Sequence, residues 1–230
     1  MKKLAFVTGA NGGIGSAICE KLKENYEIIA FTRKQYDIPY EQVICDLTDT
    51  KSLEKVINDA MDKYGIPSVL VNNAGAYFAT PWNEESVEQF ETTLSVNITA
   101  PFVLMKNVAK AMIEKNIQGS IVNVTSVSAY IGSLDPAYAA GKAGEVAITK
   151  SFAKALAANN IRVNSVAPGP VNTKMGDSIP DHKKEEYKKV IPLHRFAEPE
   201  EMANIVEFLA SDASSYMTGS IVHANGGMYS

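Results

Sequence analysis

Short runs of β-branched and apolar residues alternate along this chain with longer segments whose apolar positions recur every three or four residues. The short runs fall at about 4–7, 27–31, 42–45, 69–71, 120–124, 161–166 and 220–223. Their length and composition are those of buried strands. Helical periodicity occupies about 16–25, 49–64, 86–116 and 199–210, and a further helix opens at Asp135-Pro136, where an N-cap and a first helical residue belong. That last helix continues through Ala143, Val146, Ala147 and Ser151. Strand and helix in alternation predict a doubly wound α/β domain, seven parallel strands in the order 3-2-1-4-5-6-7 with right-handed crossovers and helices on both faces. After the strand end at Thr32-Arg33-Lys34 only residues 35–41 remain before the third strand, too few for a full crossover helix, so that crossover is trimmed.

The totals narrow the possibilities. A chain of 230 residues with 46% hydrophobic and 21% charged positions fits one domain spanning 1–230. A net charge of -4 offers no basic footprint, which argues against nucleic acid or an anionic membrane as partner. No apolar run reaches spanning length, and the stretch after Lys2 and Lys3 ends at Thr8-Gly9, so it reads as a first strand and not a signal peptide. Two cysteines, Cys19 and Cys45, form no Cys-x-x-Cys and suit a reducing cytoplasm. His182, His194 and His223 share no ligand spacing, and no metal is expected.

The chemistry gathers at 123–144. Ser126 lies just past a strand, and Tyr138 and Lys142 are four apart on one face of a helical first turn. A free phenol is about one part in a thousand ionised at neutral pH, and a neighbouring ammonium favours the phenolate. With a serine hydroxyl to hold a substrate oxygen, such a trio can give a proton to a carbonyl or take one from an alcohol. A Tyr-x3-Lys by itself is equally a packed ring beside a solvated charge. The first strand runs into Thr8-Gly-Ala-Asn-Gly-Gly-Ile-Gly15 and then a helix, the arrangement that receives a pyrophosphate. Gly9, Arg33, Asp46, Asn73, Ser126 and Pro168 each end a different predicted strand, and in an open parallel sheet ligands bind beyond those ends. Topology therefore places all six along one edge.

Thr8-Gly9-x3-Gly13-x-Gly15, Asn72-Asn73-Ala74-Gly75, Asn97, Ser126, Tyr138-x3-Lys142 and Pro168-Gly169 together resemble the motif set of the short-chain dehydrogenase/reductase family, in family order and over essentially the whole chain. The resemblance implies a Rossmann-type catalytic domain and hydride transfer between a nicotinamide and a carbonyl or secondary alcohol. It assigns Tyr138 as acid/base, Lys142 as its electrostatic partner and ribose ligand, Ser126 as the substrate-oxygen ligand with Ser128 as fallback, and Asn97 as part of a water-borne proton route. A buried, satisfied amide is the alternative for Asn97. Gly9, Asn11, Gly13, Ile14 and Gly15 would meet the pyrophosphate, Asp46 and Leu47 the adenine, Asn73, Ala74 and Gly75 the ribose, and Pro168, Gly169, Val171 and Thr173 the nicotinamide. Asp46 can alternatively cap a turn. Thr32 stands where an acidic residue would bond a ribose 2'-hydroxyl and Arg33 follows it, which favours NADP(H) over NAD(H).

The tail Asn225-Gly-Gly-Met-Tyr229 looks most like bacterial 3-oxoacyl-[acyl-carrier-protein] reductases, implying a 3-oxoacyl thioester substrate, fatty acid biosynthesis and a possible acyl carrier protein partner. The positions matching that partner's basic docking residues are Ile117 and Asn159. A small ketone, sugar or steroid is the alternative substrate, and a non-catalytic dinucleotide sensor the alternative class. Related enoyl reductases space tyrosine and lysine more widely. The family also implies a substrate lid at about 174–193 and a homotetramer, for which the sequence itself offers apolar helix faces.

Overall fold

The computed structural model describes residues 2–173 and 181–230. Lys3–Thr8 (β1), Tyr26–Thr32 (β2), Glu41–Ile44 (β3), Val69–Asn72 (β4), Gly119–Val124 (β5), Ile161–Pro168 (β6) and Ile221–Ala224 (β7) form one sheet in the order β3-β2-β1-β4-β5-β6-β7. Every pairing is parallel. The expected strand order is therefore the observed one.

Parallel strands need both faces covered, and the side-chain alternation supplies two apolar faces. Ala5 and Val7 of β1, Ile28 and Ala30 of β2, and Val69 and Val71 of β4 enter one layer with Ile18 and Leu22 of α1 (Gly13–Leu22) and Val206 and Leu209 of α8 (Pro199–Ala210). Phe6, Ile29, Phe31, Leu70 and Ile121 enter the other with Leu53 and Ile57 of α2 (Thr50–Tyr64) and Leu104, Met105 and Val108 of α4 (Ala100–Glu114). Burying each such side chain contributes about 1.5–3 kcal/mol, which sets this sheet order against any register slip.

Three local departures from the sequence pattern bear on the site. The first helix begins at Gly13, inside the glycine turn, and ends at Leu22, where about 16–25 is expected. Its N-cap is Gly12, which offers no side chain to the first amides. The long segment at 86–116 is not one regular helix. Ser86 opens α3 (Val87–Leu94) with a capping box to Gln89, and a π-helical turn, Ser95–Thr99, joins it to α4. The catalytic-edge segment after β5 winds into a short helix, α5 (Ser128–Ile131), before α6 (Pro136–Leu156). Beyond β6, α7 (Asp181–Val190) covers part of the expected lid; its residues 174–180 lie outside the described residues.

Candidate active site

The carboxyl ends of β1, β4, β5 and β6 converge as topology requires. Gly9 leaves β1 at φ 64°, a left-handed turn, and its amide donates to Phe31 O at 3.0 Å. Gly15 is needed for closeness: a Cβ there would lie 2.1 Å from Gly9 O and 2.7 Å from Asn73 Nδ2. The Asn73 amide bonds the carbonyls of Thr8 and Gly9 at 3.0 and 3.2 Å, and Thr8 Oγ1 accepts from the amides of Asn73 and Ala74, both at 3.0 Å. Turn and β4 end thereby form one rigid cradle. Asn11 is exposed within the turn, and Gly13 and Ile14 open α1 from it.

Asp135 is buried, and its carboxylate accepts from the amides of Tyr138 at 2.9 Å and Phe78 at 3.3 Å. It is the N-cap of α6 and so fixes the helical turn that carries Tyr138. The Tyr77 ring meets Tyr138 edge-on with centroids 4.9 Å apart. One helical turn on, Lys142 is 2% exposed and donates to Val124 O and to Glu145, each at 2.8 Å. Ser126 Oγ accepts from the Ser128 amide at 3.1 Å, which leaves its own proton to give.

A cavity of about 260 Å³ joins these groups. Ile14, Asn73, Gly75, Ser126, Tyr138, Lys142, Pro168, Gly169, Val171 and Thr173 all line it. Ser128 lines it too. The sequence pattern did not single out Tyr77, Ile131, Leu134, Tyr187, Phe196 and Met228, which complete the wall and make it largely apolar. Tyr77 follows Gly75, and Ile131 and Leu134 lie within 123–144, closely enough to have been suspected; Tyr187, Phe196 and Met228 come from elements distant in sequence.

Of the remaining expected residues, Arg33 is exposed at the end of β2, with no ion pair among the described residues, while the Thr32 hydroxyl turns inward to Gln42 at 3.4 Å. Asp46 and Leu47 follow β3, and Asp46 Oδ1 accepts from the Thr48 amide and hydroxyl at 2.9 and 2.8 Å, the turn-capping geometry. Asn97 is fully buried in the π turn. Its amide oxygen accepts from Ala76 N at 2.8 Å and its Nδ2 donates to Ala76 O at 3.0 Å. The side chain thus holds the loop after Gly75, the satisfied-amide arrangement, with one Nδ2 hydrogen and one Oδ1 lone pair not used in these two bonds. Cys19 and Cys45 are buried free thiols, pushed by burial up to about 12 and about 11, which marks them as packing residues.

Among the described residues no His, Cys, Asp and Glu side chains cluster as a metal site, and no helix is long and apolar enough to cross a membrane. A nicotinamide dinucleotide fits what is present: a glycine cradle that a Cβ would fill, uncapped helix amides for phosphate, and a cavity ending at Tyr138 and Lys142.

A family model described as enoyl-(acyl carrier protein) reductase matches residues 9–229. The chain belongs to the short-chain dehydrogenase/reductase family, oxidoreductases acting on CH–OH groups with a nicotinamide cofactor. It is 36% identical over 242 residues to the 3-oxoacyl-[acyl-carrier-protein] reductase of Aquifex aeolicus, covering 99% of this chain and 97% of the relative. The reductases of the same name from Thermotoga maritima and Staphylococcus aureus are 36% and 33% identical, covering 98% and 100% of this chain and 97% and 99% of their own. A solved structure of 4-hydroxyisoleucine dehydrogenase complexed with NADH superimposes with a TM-score of 0.91 at 30% identity, over 99% of this chain and 98% of the other.

Proposed function

We propose that this protein is an NADP(H)-dependent ketoreductase whose substrate is a 3-oxoacyl thioester. The observation that carries the reaction class is the meeting of Ser126, Tyr138 and Lys142 in one cavity at the edge where the glycine cradle opens. The full-length likeness to 3-oxoacyl-[acyl-carrier-protein] reductases supports the substrate class. A sensor would need none of these polar groups.

The bound nicotinamide supplies the hydride in reduction and takes it in oxidation. Ser126 donates a hydrogen bond to the substrate oxygen, keeping its proton, and holds that oxygen beside the Tyr138 phenol. Tyr138 gives its proton to the oxygen as negative charge develops there, and recovers it in the reverse direction. Lys142 supports that transfer electrostatically and offers an N–H to the ribose. Asn97 holds the wall through Ala76 and keeps hydrogen-bonding capacity for the water of a proton route to Lys142. The apolar wall of Tyr77, Ile131, Leu134 and Met228 suits an acyl chain.

Arg33 at the β2 end supports the 2'-phosphate reading. NAD(H) is the second reading, favoured by the NADH of the dehydrogenase structure. Ile117 and Asn159 precede β5 and β6, at the sheet edge opposite the cavity, and bring no positive charge for a carrier protein. The free thioester is therefore the form proposed as sufficient. Phe102, 44% exposed on α4 and edge-on to Phe152 of α6 at 5.9 Å, supports self-association of these helices in a homo-oligomer.

Loss of absorbance at 340 nm with NADPH and then NADH, against an acetoacetyl thioester and a panel of simple ketones and sugars, tests this reading. Thioester turnover with NADPH is expected. Turnover confined to small ketones or sugars would overturn the substrate class, and cofactor binding without any turnover would overturn the enzyme.

A further inference from the structure

Glu145 lies three residues beyond Lys142 on α6, in a run otherwise built of small and apolar residues. It is 0% exposed. Its Oε2 takes one Lys142 N–H at 2.8 Å, and its Oε1 is buried with no hydrogen-bond partner. A buried carboxylate whose second oxygen has no hydrogen-bond partner among the described residues is costly, so its place beside Lys142 needs a reason.

Lys142 has three N–H groups, of which Val124 O and Glu145 hold two. One remains for the cavity. Glu145 thus anchors the ammonium from the side of the protein interior. It also balances the charge. On the elements packed against α6, Glu88 and Glu91 of α3 and Lys106, Lys110 and Glu114 of α4 are all exposed. Arg162 of β6 is occupied by Ser214 and Ser211, α5 contributes only Tyr130, and β5 and the π turn contribute no titratable side chain. Along α6 itself stand Tyr138, the exposed Lys150 and Lys154, and the capping Asp135, whose oxygens accept from the amides of Tyr138 and Phe78 and which Glu85 faces from the loop before α3. Lys142 is accordingly the counter-ion of Glu145.

An oxidised nicotinamide ring carries a positive charge that the reduced ring lacks. We infer that Glu145 is a positioning residue which anchors Lys142 and offsets that added charge, biasing the site toward the oxidised cofactor. The inference rests on the nicotinamide reading of the cavity and on no particular substrate. Burial lifts the Glu145 carboxyl to about 7 against the lowering pull of Lys142, so its charge changes within the working range.

The test is binding. Dissociation constants for NADP⁺, NADPH, NAD⁺ and NADH are measured by calorimetry on the whole protein, for wild type, Glu145→Gln and Glu145→Leu, at pH 8, with thermal melts to check folding. Both variants should weaken the oxidised form about tenfold more than the reduced form, the order of one charge–charge term at an effective dielectric of about 20. In wild type the ratio of oxidised to reduced dissociation constants should fall as pH rises from 6 to 8, as the carboxylate forms, and it should be flat in Glu145→Gln. A ratio unchanged in Glu145→Gln would overturn the inference, since a merely structural role weakens both redox forms alike. Failure of the wild type to bind any of the four would instead remove the cofactor reading, and the inference with it.

Discussion

Asn73 Nδ2 donates to Gly9 O at 3.2 Å, so a side chain from the end of β4 holds the carbonyl of the first glycine in the turn after β1. The same nitrogen bonds Thr8 O at 3.0 Å. Two strands adjacent in the sheet but more than sixty residues apart are tied where the cofactor would lie. Asn73→Ala leaves both carbonyls without this donor, at a cost of about 1–3 kcal/mol. The expected result is a lower melting temperature and a raised KM for the cofactor with kcat little changed. Equal loss in kcat would show that Asn73 acts on the chemical step instead.

Tyr138→Phe removes one oxygen and keeps the ring that packs edge-on against Tyr77. Cofactor affinity should therefore stay within about threefold, while turnover falls by about 10³-fold or more, the scale of a lost general acid. Titration with NADPH alongside steady-state rates checks both halves. Near wild-type turnover would sink the proposed mechanism.

Arg33→Asp replaces an exposed cation at the β2 end, with no ion pair among the described residues, by an acceptor for a ribose hydroxyl. The ratio of kcat/KM for NADPH to that for NADH should fall by about tenfold or more, since charge-assisted bonds to phosphate are lost and repulsion gained. An unchanged ratio would refute the role given to Arg33.

The buried Lys142–Glu145 pair also predicts a conflict between function and stability. Glu145→Leu strands a buried ammonium and should destabilise by about 3–5 kcal/mol, whereas Lys142→Met with Glu145→Leu should recover that loss or exceed wild type by about 1–4 kcal/mol while abolishing turnover. Because burial raises Glu145 from 4.5 to about 7, its contribution to stability is fully present below about 4.5 and is lost as pH rises through about 7. Denaturant unfolding from pH 4 to 8 reads this slope. Glu145→Gln should flatten it, and an equally steep slope in that variant would assign the effect to another group.

Much of this was visible in one dimension. Alternating apolar runs and helical periods carried the seven strands and their order, because a parallel sheet with both faces covered leaves few ways to bury them. The small residues of Gly9, Gly13 and Gly15 and the pair Tyr138 and Lys142 stood out because a turn and a helical period fix their neighbours locally. The π turn at Ser95–Thr99 did not stand out, since the helical period of three or four residues continues on both sides of it. Nor did the engagement of Asn97 with Ala76, a contact made across twenty-one positions.

Sequence alone determined which residue types are available at the sheet edge and at what spacing: strand ends, a glycine turn, a serine, a phenol and an ammonium. Tertiary structure alone decided how they are held. The Asn73 Nδ2 reaches both the Thr8 and Gly9 carbonyls, Tyr187 and Phe196 close the apolar wall, and Glu145 meets Lys142 in the interior. The physical reason is that local spacing fixes periodicity and caps, whereas burial, orphaned acceptors and charge compensation exist only after distant segments have excluded water between them.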